Sequence, residues 1–296
     1  MKYRLLNRIS EIYSNDGNIM EFLKKETGQQ KNTIEDILIS YDFQAGSYSE
    51  SYLDNPTLKD NATKELYSYL NSFSDIQSIL EVGVGEATTL VSLLEHFSRN
   101  EVRVKGIDLS WSRIKAGQKM LETKKLKKNV ELATSDLFNL PLQDNSVDLL
   151  YTFHSLEPNG GKEKEALQEL YRVTSKYMVL VEPSYELGSE QQKERMKKNG
   201  YVVGLYDACK KLGYDVIQYE KFNTNVNSLN EAAIIVIQKN MQKQNSFEWC
   251  CPITKTPLQN VDGGKFSEES LLVYPVIAGV PCLLEENAIV ATKMNS

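Results

Sequence analysis

The sequence predicts an α/β fold: a seven-stranded, mostly parallel sheet with helices on both faces, preceded by a helical segment and followed by a small β-rich module. Three observations carry this. From about residue 60 to 238, short apolar runs alternate with stretches of helical spacing, the pattern of parallel strands joined by crossover helices. The last two runs, 214–222 and 232–238, are joined by a connection too short for a helix. They are therefore antiparallel neighbours, and the final strand runs backwards. After a polar stretch at 240–246 the composition changes, with Pro252, Pro257, Gly263-Gly264, Pro275, Gly279 and Pro281 punctuating the remaining residues. This divides the chain into residues 1–55, 56–240 and 246–296.

In chain order, Leu6, Ile9, Ile12 and Tyr13, then Ile19, Phe22 and Leu23, fall three and four apart, as on one face of a helix. Asn15-Asp16-Gly17-Asn18 breaks the two runs. Residues 78–83 form a first strand ending in glycine, and Ala87, Leu90, Val91 and Leu94 begin a helix. Residues 102–108, 130–133, 147–153 and 177–182 read as the next four strands, with helices expected over 112–125 and 162–173. A further helix is expected over about 200–212, closed by Gly213.

Composition bounds the function. A hydrophobic fraction of 41% and a charged fraction of 25% are those of an ordinary globular chain. No run approaches the ~18 apolar residues of a membrane helix, and the N-terminus lacks the apolar core of a signal peptide. The expected address is cytoplasmic. A net charge of −6 disfavours broad binding to nucleic acid, which needs a concentrated basic face. The one basic run, Lys124-Lys125-Leu126-Lys127-Lys128, sits where a helix should end and complements its dipole. His96, one of two histidines, falls in the polar tail of a helix and is expected in solvent.

In an open α/β sheet, ligands bind at the carboxyl ends of the strands. The first strand ends in Glu81-Val82-Gly83-Val84-Gly85, where two glycines allow a tight turn and close approach of a ligand. Asp108-Leu109 closes the second strand, where a carboxylate can accept both hydroxyl hydrogens of a ribose. Ser135-Asp136-Leu137 follows the third, an acid for an amino group beside an apolar side chain for a ring. These positions resemble the class I S-adenosyl-L-methionine-dependent methyltransferases over roughly residues 60–240. The resemblance implies a Rossmann-like sheet with its last strand reversed, S-adenosyl-L-methionine as cofactor, and binding by Glu81, Gly83, Gly85, Asp108, Leu109, Asp136, Leu137 and Phe153. A dinucleotide-binding dehydrogenase shares the first two landmarks, but Thr88 stands where its third glycine belongs.

Phe153-His154-Ser155-Leu156-Glu157 ends the fourth strand, the edge that faces the transferred methyl group in such folds. A neutral His154 can take a proton from an acceptor hydroxyl, and Glu157 stands as a second catalytic candidate. The N/D-P-P-Y/F sequence of amide and adenine N-methyltransferases is absent, and no cysteine follows this strand. Direct displacement remains, with positioning as the main source of rate. Upstream, Tyr41 to Tyr52 holds aromatic residues suited to a lid whose rings shield a sulfonium. A helix docked on the sheet is the alternative reading of that segment.

Cys251-Pro252-Ile253-Thr254-Lys255-Thr256-Pro257-Leu258, with Tyr274-Pro275-Val276-Ile277-Ala278-Gly279-Val280-Pro281, resembles the Trm112-like family of small zinc-ribbon-derived domains. Thr254 replaces that family's second cysteine. Cys250, Cys251 and Cys282 supply three ligands at unusual spacing where a tetrahedral site needs four. The module is therefore expected to hold no metal. Some members of that family activate methyltransferases, which fits a fused copy. The function expected overall is methyl transfer to O or N of a small-molecule or sugar-type acceptor. The alternatives are a tRNA or rRNA methyltransferase, and a protein that binds S-adenosyl-L-methionine without catalysis.

Overall fold

The computed structural model describes residues 2–29, 32–97, 102–224, 230–239 and 244–294. Helices α1 (Leu6–Ser14), α2 (Ile19–Thr27) and α3 (Ile34–Phe43) meet over a small core of Ile9, Ile19, Leu23 and Ile39. Asn18 caps α2 by accepting from the Glu21 amide, and Thr33 and Asp36 form a reciprocal capping box at the start of α3. Lys2 pairs with the buried Asp36 at 2.7 Å and ties the first turn of the chain to that box. Helices α4 (Ser47–Asp54) and α5 (Thr57–Leu70) lead to the sheet.

The main sheet begins with β1 (Ser78–Val82), α6 (Thr88–Leu94), β2 (Arg103–Asp108), α7 (Trp111–Thr123) and β3 (Val130–Thr134). It continues with β4 (Val147–Phe153), α8 (Glu163–Val173), β5 (Thr174–Pro183), α9 (Glu190–Asn199), α10 (Leu205–Lys211), β6 (Asp215–Lys221) and β7 (Ala232–Gln238). The strand order is β3-β2-β1-β4-β5-β7-β6. Strands β1 to β5 pair in parallel, whereas β7 runs antiparallel to both β5 and β6. This is the Rossmann-like sheet with a reversed last strand that the sequence predicts. The order reverses between β1 and β4, which opens a crevice at their carboxyl ends.

Alternation along the strands feeds two cores. Ile79, Leu149, Val179, Val181 and Val236 face α5 and α6 on one side. Leu80, Val82, Leu150, Met178, Leu180 and Ile235 face α8 and α10 on the other. Burial on both faces explains why these strands read as continuous apolar runs.

The C-terminal part forms a second, antiparallel sheet of β8 (Gln259–Val261), β9 (Gly264–Ser267), β10 (Leu272–Ile277), β11 (Val280–Pro281) and β12 (Ile289–Val290). It is fastened to the edge of the first. Cys282 bridges Thr134 in parallel, and the Leu283 amide donates to the Thr134 carbonyl at 2.9 Å. Phe247, Trp249, Cys251, Tyr274 and Leu283 share one apolar cluster with Leu80, Leu140 and Leu142. Lys105 is buried at this seam, 4.4 Å from the Trp249 ring centroid and paired with Glu131 at 2.8 Å. All four cysteines are buried and free, and the Cys251 thiol lies 3.3 Å from the Tyr274 hydroxyl.

Some expectations change. The sequence reading has no helix at 190–199, where α9 stands, and the helix expected over 200–212 begins only at Leu205. Gly200 and Gly204, both with positive φ, separate the two helices. His96 is half-buried rather than free in solvent: its ring sits 5.9 Å from that of Tyr67, and its Nε2 is buried without a hydrogen-bond partner. The basic run does follow a helix end, and Lys124 pairs with Glu95 at 3.0 Å. Of the polar stretch at 240–246, residues 240–243 lie outside the described residues, while the Asn245 amide donates to Asn145. Among the described residues no group of His, Cys, Asp or Glu is placed to hold a metal ion. No helix among them is long and apolar enough to cross a membrane.

Because the seam joins one cluster rather than two, Trp249→Ala should destabilise the whole chain by about 3–5 kcal/mol. Denaturant unfolding followed by fluorescence of the remaining Trp111, whose Nε1 donates to the Ile277 carbonyl of the second sheet, and by far-UV circular dichroism should then show a single shifted transition. A Trp111 transition that precedes the one seen by circular dichroism would mean the second sheet melts by itself.

Candidate active site

The carboxyl ends of β1 to β4 open into a cavity of about 530 Å³, roofed by α3 and α4. Its rim is set by the turn after β1. The amides of Gly83 and Val84 both donate to the Ile107 carbonyl, at 2.9 and 2.8 Å, hooking the turn onto β2. Gly83 has φ +77°, and a Cβ there would lie 2.1 Å from that of Ser155. Only glycine admits both that conformation and that contact. Asp108 completes the rim: its two carboxylate oxygens accept from the Gly85 and Ser110 amides, each at 2.9 Å. Each oxygen keeps a second lone pair for a ligand hydroxyl.

Glu81 forms the floor. Tyr151 stands opposite it in the β1–β4 register, and its hydroxyl donates to the Glu81 carboxyl at 2.7 Å. Burial drives the Glu81 carboxyl up to about 8, against the opposing pull of Tyr151 and Lys59. The Lys59 amino group is itself pushed down by burial; it donates to Thr89 at 3.1 Å and lies 5.2 Å from the Phe153 ring centroid. On the β3 side, Asp136 accepts from the Phe138 amide at 2.9 Å, and burial raises its carboxyl. Leu109, Leu137 and Phe153 supply apolar wall.

The loop after β4 forms the far end. His154 takes φ +55°, a left-handed conformation that a non-glycine residue adopts at a cost. Neighbouring hydrogen bonds hold it there. Its amide donates to Val181, and the Glu182 carboxyl accepts from the amides of Ser155 and Leu156, both at 3.1 Å. Burial raises that carboxyl to about 7. Burial, with Lys59 nearby, lowers the His154 imidazole to about 4. Glu157 accepts from Asn230 at 3.2 Å and lies 3.7 Å from Arg195; burial raises its carboxyl as well.

Two carboxylates anchor the roof. Asp42 at the end of α3 accepts from the hydroxyls of Ser110 and Ser112 at the start of α7, at 2.6 and 2.9 Å. Glu86 accepts from the Tyr48 and Ser49 amides in the first turn of α4. Arg113 reaches up from α7 between Tyr41 and Tyr48, with its guanidinium carbon 5.1 and 4.8 Å from their ring centroids. Burial pushes the Tyr41 phenol well above its usual range.

Tyr41, Glu81, Gly83, Asp108, Leu109, Asp136, Leu137, Phe153, His154 and Glu157 all line this one cavity. Gly85 does not line it; the space a Cβ would take there is filled by Arg113 at 2.6 Å. Sequence reasoning missed Lys59, Arg113 and Asn230. Lys59 left a signal, since it sits one turn before Ala62, Thr63 and Leu66 on the buried face of α5.

Residues 79–176 match the model of a family described as a methyltransferase domain. Norajmaline N-methyltransferase of Rauvolfia serpentina is 29% identical over 109 residues, 37% of this chain and 36% of that protein. The aligned stretch thus spans about a third of that relative's length. A chain of a complex that contains the Haloferax volcanii Trm112 methyltransferase activator superposes with a TM-score of 0.52. It is 12% identical, with 69% of this chain and 98% of that chain covered, and shows a shared fold.

Two outcomes test this geometry. The carboxyl of Glu81 is raised in the folded state from an ordinary value of 4.5 to about 8. Its contribution to stability is therefore complete below about pH 4.5 and lost as pH rises through about 8. Glu81→Gln should match the wild type in acid and unfold at higher temperature than it by pH 8, a difference read by thermal melts across that range. Gly83→Ala should cost about 1–3 kcal/mol in stability from the strained φ and the collision. Adding Ser155→Gly should recover the part due to the collision, measured as coupling in a double-mutant cycle.

Proposed function

We propose that this protein is an S-adenosyl-L-methionine-dependent methyltransferase that methylates O or N of a small-molecule or sugar-type metabolite by direct displacement. One observation carries the reading. Glu81 and Gly83, Asp108, and Asp136 end three successive strands on a single cavity, and they lie within the segment that matches a methyltransferase domain. The name of the relative that shares this segment favours nitrogen in a small molecule as acceptor.

The residues present fit the cofactor. A Cβ at Gly83 would close the rim of the cradle, and Asp108 offers its free lone pairs there. Asp108 would hold the ribose, and Asp136 the adenine amino group between Leu109 and Leu137. Glu81 and Lys59, with opposite charges when ionised, suit the amino and carboxylate ends of the methionine part. Bound there, the cofactor supplies an electrophilic methyl group whose sulfur keeps the bonding electrons as the acceptor's lone pair takes the carbon.

The chain's own contribution is placement and proton handling. Phe153 and Tyr41 exclude water from the wall and the roof. Glu157 has its carboxyl raised by burial, so its carboxylate is a stronger base than an exposed one and can receive the proton the acceptor loses. His154 sits beside it at the acceptor end, with its basicity reduced by burial.

In this reading residues 1–55 roof the site, 56–240 form the catalytic domain and 246–296 act as a fused Trm112-like module without zinc. Cys282 and Leu283 of that module bind Thr134, two residues before Asp136, and so brace the strand end that carries the adenine-binding acid.

Isothermal titration should show S-adenosyl-L-methionine and S-adenosylhomocysteine binding but no NAD binding. Asp108→Ala should weaken both by at least tenfold, about 1.4 kcal/mol. Methyl-labelled cofactor incubated with fractionated extract should label small metabolites. Label in RNA alone would redirect the acceptor, and no binding would end the reading.

A further inference from the structure

Asn230, which the proposed methyl transfer does not use, sits between three polar side chains at the acceptor end. Its Oδ1 accepts from Arg195 Nη1 at 2.9 Å. Its Nδ2 donates to Glu157 Oε2 at 3.2 Å and lies 3.3 Å from His154 Nδ1. A guanidinium has donors and no acceptor, so it dictates which end of the amide faces it. The oxygen turns to Arg195, and the NH₂ must then face His154 and Glu157. That group has two hydrogens for two acceptors. One goes to the carboxylate, and the other requires a lone pair on His154 Nδ1. A neutral imidazole carries one proton, which is thereby placed on Nε2. The ring stays neutral near pH 7, since burial and Lys59 hold it at about 4.

We propose that Asn230 is a positioning residue that locks His154 as the Nε2–H tautomer, so that the imidazole meets the bound molecule as a hydrogen-bond donor. The sequence suggests a base at this position; the Arg195–Asn230–His154 chain points the other way. The molecule recognised here presents a lone pair to Nε2, as a carbonyl, carboxylate or phosphate oxygen does. Its exchangeable proton is left to Glu157, the second partner of the same amide. That this molecule is a methyl acceptor rests on the methyltransferase reading; the tautomer does not.

Two-bond ¹H–¹⁵N correlation spectra of the full chain, labelled with ¹⁵N-histidine, read the tautomer directly. His96→Gln assigns the two rings. His154 should show a pyridine-like Nδ1 and a pyrrole-like Nε2 in the wild type. Asn230→Asp offers Nδ1 only an acceptor and should move the proton onto it, while Asn230→Ala should give a mixture. A wild-type ring protonated on Nδ1 overturns the proposal, as does a pattern unchanged in both variants. The wild-type spectrum decides even if a variant fails to fold. It is recorded without ligand, so failure to bind S-adenosylhomocysteine would remove the methyltransferase reading and still leave the tautomer decided.

Discussion

The hydrogen bond from Tyr151 to Glu81 lies between the two central strands, at the point where the strand order reverses. An ionised carboxylate buried there without partners would cost several kcal/mol. The phenol, the neighbouring Lys59 and the raised carboxyl together keep that cost down. Everything around the cavity is built outward from this pair. Glycine turns close above it, Asp108 sits on the next strand, and the loop after β4 begins three residues beyond Tyr151. The floor is thus polar and rigid, while the walls are mostly apolar.

The sheet was legible because its strands are short apolar runs ended by glycine or acid, and those ends are where ligands bind in such folds. The reversal of β7 followed from a connection too short to hold a helix. Helix α9 escaped because Glu190–Asn199 has almost no apolar stripe: only Gln192 and Met196 are buried. Its signals were at the ends, Ser189 accepting from the Gln192 amide and Gly200 closing it in the left-handed conformation. Lys59, Arg113 and Asn230 were hidden for another reason. Lys59 and Asn230 come from elements remote in sequence from the strand ends, and the residue type of a lone charged or amide side chain does not mark it as facing a cavity. His96 read as solvated because its neighbours in sequence are polar, whereas its neighbour in space is Tyr67.

The acceptor end shows how one obligate donor can set the protonation of a group two residues removed in a hydrogen-bond chain. Arg195 never needs to approach His154. It turns an amide, and the amide selects a tautomer. The strained φ of His154 belongs to the same design. The backbone there is held by Val181 and Glu182, so main-chain bonds help deliver the ring to Asn230, where it also packs beside Phe153.

The second sheet meets the first through few backbone hydrogen bonds at the β3 edge, with an apolar seam behind them. It is joined to β7 by residues 239–258 of the same chain. A short tether of this kind holds its cargo at an effective concentration on the order of millimolar. With the shared apolar cluster behind it, such a tether keeps the edge occupied nearly all the time. Dilution, which separates a two-chain complex, leaves this arrangement untouched, and the stoichiometry of the two parts is fixed at translation.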